Sequence, residues 1–302
     1  MDLRSFHDDF CKYLLIEKDR AQSTVSTYKA NFGEFCSWLE SEGLLLDVSS
    51  FEDYKILRRF MYQLTEKKLD RNTVRVRMIS LKTFCKYLLH EGELKGNNPF
   101  ERIDIPRKKK GLPQPLSDKV RDKLLSLSKR RALSSGNERD IQMAVIAELG
   151  LKVGMRKGAM QNLMYENIDF ENGYCYVIDK GQKEKCYPLA PSVLHWLKRL
   201  KIARGISQGP VILSPRSKGP ISDTSLHDEF KRYVKLFGLD ESKVHLHSMR
   251  HTYGTNLHEM GFDIRDIQVA MGHDDIGSTQ VYVDVPKKEL REKIKRVFSR
   301  SK

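Results

Sequence analysis

The chain has 302 residues, enough at roughly 100–200 residues per domain for two domains, and carries 54 Lys and Arg against 40 Asp and Glu, a formal charge of +14. A hydrophobic content of 39% with 13 Phe, 12 Tyr and 2 Trp excludes a disordered chain. No apolar run approaches the roughly 20 residues of a bilayer span, and the charge-broken start MDLRSFHDDFCKYLLIEKDR does not read as a signal peptide. The charge excess points to a polyanionic partner, nucleic acid first. Five scattered cysteines without a CxxC pair read as reduced packing residues of a cytoplasmic protein.

The first hundred residues predict helices. After the N-cap candidates Ser23 and Thr24, Val25, Tyr28, Phe32, Phe35 and Leu39 recur every three or four positions until Gly43. A helix opening at Ser49 or Ser50, with Glu52 and Asp53 in its first turn, carries Tyr54, Leu57, Met61 and Leu64. The next, following Asn72, sets Val74, Met78, Leu81, Cys85 and Leu88 in one stripe. On the same helix Arg71, Arg75, Lys82 and Lys86 share a strip about a quarter turn away, a solvated basic face or, given the net charge, a DNA-contacting one. Between Asn98-Pro99 and Pro115 four prolines and the run Arg107-Lys108-Lys109-Lys110 break all periodicity. The division expected is a helical DNA-binding domain over 1–105, a basic linker over 106–114 and a second domain over 115–302, with net positive charge in both halves.

Helices are predicted from Ser117-Asp118 through Leu127 and from about Glu138 to Leu149. Tyr174–Ile178 and Cys186–Leu189 then read as a hairpin with a Lys-Gly tip. A hairpin would let Cys175 and Cys186 face each other, although a basic cytosolic protein argues against a bridge. Helical patterns resume at Ser192–Arg204, Thr224–Phe237, His247–Met260 and Asp263–Met271, and Pro286 opens a last amphipathic one over 286–302. The fold class is mainly α: an all-α N-terminal domain and a mostly helical second domain with a small antiparallel sheet.

Three segments concentrate reactive groups. Gly150 to Gly158 surrounds Arg156 with glycines ahead of a helix, an arrangement suited to an anion, although a single Arg there is more often a surface residue. His247, Arg250 and His251 fall at i, i+3 and i+4, on one helical face. Met271-Gly272-His273-Asp274 is followed by Tyr282. Together they resemble the tyrosine recombinase (phage integrase) family, whose signature runs His-x-x-Arg, Leu-Gly-His and then a tyrosine nucleophile. The matches are His247, Arg250, His273 and Tyr282, with Met271 in the Leu place. GMRKGAMQNLMYENIDF resembles the block with the family's first arginine, here Arg156, and DKGQKEKCYPL the block with its hairpin lysine, here Lys180. Where the family usually has Glu or Asp three residues after that arginine, this chain has Ala159. Either Glu148 or Glu166 substitutes, or the site is less rigid, or the position is simply tolerant, and Ala159→Glu is expected to leave activity equal or improved.

The resemblance implies a site-specific recombinase of the simple, Xer-like or resolvase-like two-domain type, acting on double-stranded DNA with paired inverted half-sites as a homotetramer. It implies neither cofactor nor metal. Tyr282 attacks phosphorus to leave a 3′-phosphotyrosine and a free 5′-hydroxyl, His247 takes the phenolic proton, Arg156 and Arg250 clamp the non-bridging oxygens, Lys180 protonates the leaving oxygen and His273 orients the phosphate or the tyrosine. Two alternatives stand beside it: a non-catalytic DNA-binding regulator of the same fold, and a metal-dependent phosphohydrolase using His245, His247, His251 and His273.

Overall fold

The computed structural model describes residues 2–107, 115–178 and 184–271, and the chain divides into two units, 1–111 and 112–302. The first is all helical: α1 His7–Lys12, α2 Gln22–Ser41, α3 Ser49–Glu52, α4 Tyr54–Glu66 and α5 Arg71–His90. α2 begins one residue ahead of the expected cap, so Ser23 and Thr24 sit in its first turn. The helix expected from Ser49 is broken at Asp53, whose extended backbone (φ −86°, ψ 101°) and carboxylate, accepting from the Lys55 N–H, start α4 afresh. Likewise Asp70, two residues before Asn72, caps α5 by accepting the Asn72 N–H. The predicted stripe of α5 is buried, and Phe84 adds to it, its ring meeting those of Phe10, Phe32 and Phe51. Each such ring withdrawn from water stabilises the unit by roughly 1.5–3 kcal/mol before entropy is counted. The proline-rich stretch begins as part of this core rather than as bare linker: Pro99 opens a short 3₁₀ turn, and Phe100 and Ile103 are buried.

The second unit is built around α7, Glu138–Lys152, with α6 Asp118–Ser135, α9 Pro191–Arg204 and α11 Leu246–Glu259 packed on it. From Asp140 to Leu151 every residue of α7 is buried. Its polar members are paired where they lie. Asp140 accepts from Arg131 and Tyr233, and Gln142 donates to the Leu213 carbonyl. Glu148, with no exposed surface, accepts from Ser192 and pairs with Lys129. Short α8 (Lys157–Gln161) leads to a three-stranded antiparallel sheet, β1 Ile168–Asp169, β2 Tyr174–Ile178 and β3 Glu184–Pro188, in that order. The two-residue β1 is too short to show alternation in sequence. The register pairs Cys175 with Tyr187 and Tyr176 with Cys186, so the two cysteines occupy opposite faces, and both are free thiols. Helices α10 Asp223–Leu236 and α12 Ile264–Met271 complete the described part of the unit.

Candidate active site

Helix α11 carries the densest chemistry, and its N-terminus is fixed by its own side chains. His245 Nδ1 accepts the Ser248 N–H at 3.0 Å, and Ser248 Oγ accepts the His245 N–H at 2.9 Å, a reciprocal capping box. His247 is exposed and His251 half-buried, with ring centroids 4.7 Å apart and planes at 89°. Partial burial, then the neighbouring His251, His245 and Arg250, holds His247 below the ordinary imidazole pKa. Burial and Arg250 act on His251 in the same direction.

Arg250 departs from the expected shared face. Its side chain turns inward, leaving the residue 5% exposed, and donates to the Gly154 carbonyl at 2.5 Å and to the Met271 carbonyl at 2.8 Å. One guanidinium thus joins α11, the loop that precedes Arg156, and the last residue of α12. Arg156 is half-buried, at the N-cap of α8, with extended backbone (φ −67°, ψ 152°). Two of the glycines ahead of it, Gly150 and Gly154, are required by packing. Gly154 has φ +64°, and a Cβ there would lie 2.3 Å from Tyr253 Cδ1; a Cβ on Gly150 would lie 2.5 Å from Met249 Cε. These demands come from residues about 100 positions away, and no local pattern signals them.

Neither carboxylate considered as a substitute at Ala159 has Arg156 among its recorded partners. Glu148 is held by Lys129, Ser192 and, at 3.6 Å, Lys152, while Glu166 accepts the Gly209 N–H. Ala159 is itself completely buried. Lys180, His273 and Tyr282 lie outside the described residues, as does the segment 286–302.

In the first unit Arg71 and Lys86 are exposed, and Arg75 and Lys82 half-buried, along one side of α5. Arg77 of the same helix is instead occupied by Glu34 at 2.8 Å. Among the described residues no group of three His, Cys, Asp and Glu side chains is placed to hold a metal ion, and no helix is long and apolar enough to cross a membrane.

Residues 116–289 match the model of the phage integrase family, and residues 8–92 that of the phage integrase N-terminal SAM-like domain. The tyrosine recombinase XerC of Oceanobacillus iheyensis is 30% identical, covering 96% of this chain and 94% of that protein. XerD of Vibrio cholerae is 26% identical over 94% of this chain and 93% of its own length. Among solved structures the fold is similar to that of the XerH recombinase bound to its difH substrate (TM-score 0.67, 20% identity, 96% of this chain and 83% of that one). It is likewise similar to a lambda integrase dimer bound to a core site (TM-score 0.66, 19% identity, 94% of this chain and 100% of that one). The match of the catalytic model across more than half of the chain, together with an end-to-end relative at 30% identity, establishes that the chain belongs to the phage integrase family of tyrosine recombinases.

Proposed function

We propose that this chain is a site-specific DNA recombinase that cuts and rejoins DNA through a 3′-phosphotyrosine on Tyr282. The reading is supported most by α11, which sets an exposed His247 within one turn of Arg250, itself bonded to the loop that leads into Arg156. In the mechanism, the Tyr282 oxygen forms a bond to phosphorus as the bond to the 5′-oxygen breaks. His247, kept neutral near pH 7, accepts the phenolic proton, and Lys180 supplies one to the departing oxygen. Arg156 and Arg250 offset the charge that builds on the non-bridging oxygens, and His273 orients the phosphate or the nucleophile. Religation runs the same steps backward with the bond energy retained, so no nucleotide is consumed.

In this reading residues 1–105 form the core-binding domain, with Arg71, Arg75, Lys82 and Lys86 on DNA, and residues 115–302 the catalytic domain, joined by a basic linker over 106–114. The assembly is a homotetramer on two duplexes, each with paired inverted half-sites, working in the cytoplasm. The test is covalent capture. Wild-type protein incubated with a randomised duplex pool carrying a strand nick retains a protein–DNA adduct, and Tyr282→Phe retains none while still shifting the recovered duplex in a gel. An adduct formed by Tyr282→Phe overturns the assignment of the nucleophile. Arg156→Ala and Arg250→Ala each slow adduct formation by at least about 10²-fold.

A further inference from the structure

The His247 imidazole has no hydrogen-bond partner among the described residues, where its ring meets that of His251. A solvent-facing imidazole otherwise samples a broad range about its last torsion, whereas accepting a proton from a nucleophile requires one ring plane. The perpendicular contact one helical turn away supplies that restraint. Arg250, between the two in sequence, is anchored through both terminal nitrogens of its guanidinium, which holds this turn of the helix in place. We propose that His251 is a positioning residue of the reaction: its ring, perpendicular to that of His247 at 4.7 Å, fixes the plane in which His247 takes the tyrosine proton. The proposal rests on His247 being the general base.

The electrostatic part has a defined direction. Among the described residues the groups that act on His247 are His251, His245 and Arg250, and His227 of α10 acts in turn on His245. α7 and α12, packed against α11, add none to that set. All three act against protonation. Removing the His251 imidazole while keeping a ring therefore raises the His247 pKa, and the acid limb of the cleavage profile moves to higher pH.

Full-length His251→Ala, His251→Phe and His247→Ala are compared with wild type on the nicked duplex that wild type captures from the randomised pool. Single-turnover adduct formation is followed across pH, beside a binding titration. His251→Ala is expected to lose at least about tenfold in rate with binding unchanged. His251→Phe is expected to recover most of that rate at alkaline pH, with its acid limb displaced upward. A His251→Ala enzyme with wild-type rate and profile overturns the proposal, as does one that loses binding and rate together. A Phe variant as slow as Ala, or one with an undisplaced acid limb, also overturns it. His247→Ala cleaving at the wild-type rate instead removes the general base itself, a failure distinct from that of His251.

Discussion

Arg250 and Gly154, 96 positions apart, are joined by a 2.5 Å hydrogen bond from the guanidinium to the carbonyl. The residue that accepts this bond is also the one whose backbone no side chain tolerates, because φ is +64° and Tyr253 fills the space of a Cβ. The same peptide therefore sets the height of the Arg156 loop and the reach of Arg250.

Gly154→Ala is expected to combine left-handed backbone strain of about 1–3 kcal/mol with displacement of the Tyr253 ring. Chemical denaturation should show the loss of stability, and adduct formation should fall further than the folded fraction accounts for. Gly158→Ala, at a position with open space around it, serves as the control and should be near neutral. Equal stability of the two variants would show that the loop relaxes around the new methyl group.

The burial of Ala159 sets a stability cost beside the equal or improved activity expected of Ala159→Glu. A carboxylate introduced there enters a completely buried position, and without a partner it costs about 3 kcal/mol or more. Ala159→Glu should lower the melting temperature by several degrees. A raised melting temperature with equal or faster adduct formation would mean that the new acid pairs with a nearby cation.

Glu229 is nearly buried on α10 and receives both nitrogens of a forked contact from Arg139, at 2.6 and 2.7 Å, plus Arg232. Burial pushes its carboxyl up, but the arginine hydrogen bonds outweigh it and the net pKa is lowered. A lowered folded-state value stabilises the protein above the ordinary carboxylate range, and that contribution is lost as pH falls through the folded value. Glu229→Gln is expected to cost about 3 kcal/mol at neutral pH, with a smaller difference from wild type at an acid pH below the ordinary carboxylate range. Denaturant unfolding at both pH values measures it, and a pH-independent difference would assign the effect to packing.

Arg75→Gln and Lys82→Gln should weaken binding to the captured duplex and each lower the slope of log affinity against log salt by about one, without moving the thermal transition. Arg77→Gln, removed from Glu34, should instead lower stability and leave the salt slope nearly unchanged. Indistinguishable slopes for all three would take α5 off the DNA.

What the sequence made legible follows interaction range. The α5 stripe, the β2–β3 pair and the α11 helix that sets His247 beside His251 follow local periodicities, and the structure has them within one or two residues. Asp53 escaped because it satisfies two readings, first-turn acid of one helix or cap of the next, and its extended backbone decides. The inward turn of Arg250 escaped because its acceptors are carbonyls of Gly154 and Met271, and nothing at 250 encodes them. The packing of Phe100 and Ile103 into the first unit was hidden by the prolines around them.

Helix α7 has no wet face over the twelve positions from Asp140 to Leu151. Fraying or a passing fluctuation of one neighbour leaves the amides at its centre covered, so they exchange with solvent hydrogen only when the second unit opens as a whole. Those central amides are therefore an internal clock for global opening, and their slowest rates convert directly into its unfolding free energy. A DNA duplex that binds only the folded chain slows them by the factor 1 + [DNA]/Kd, an affinity read from a helix deep in the core.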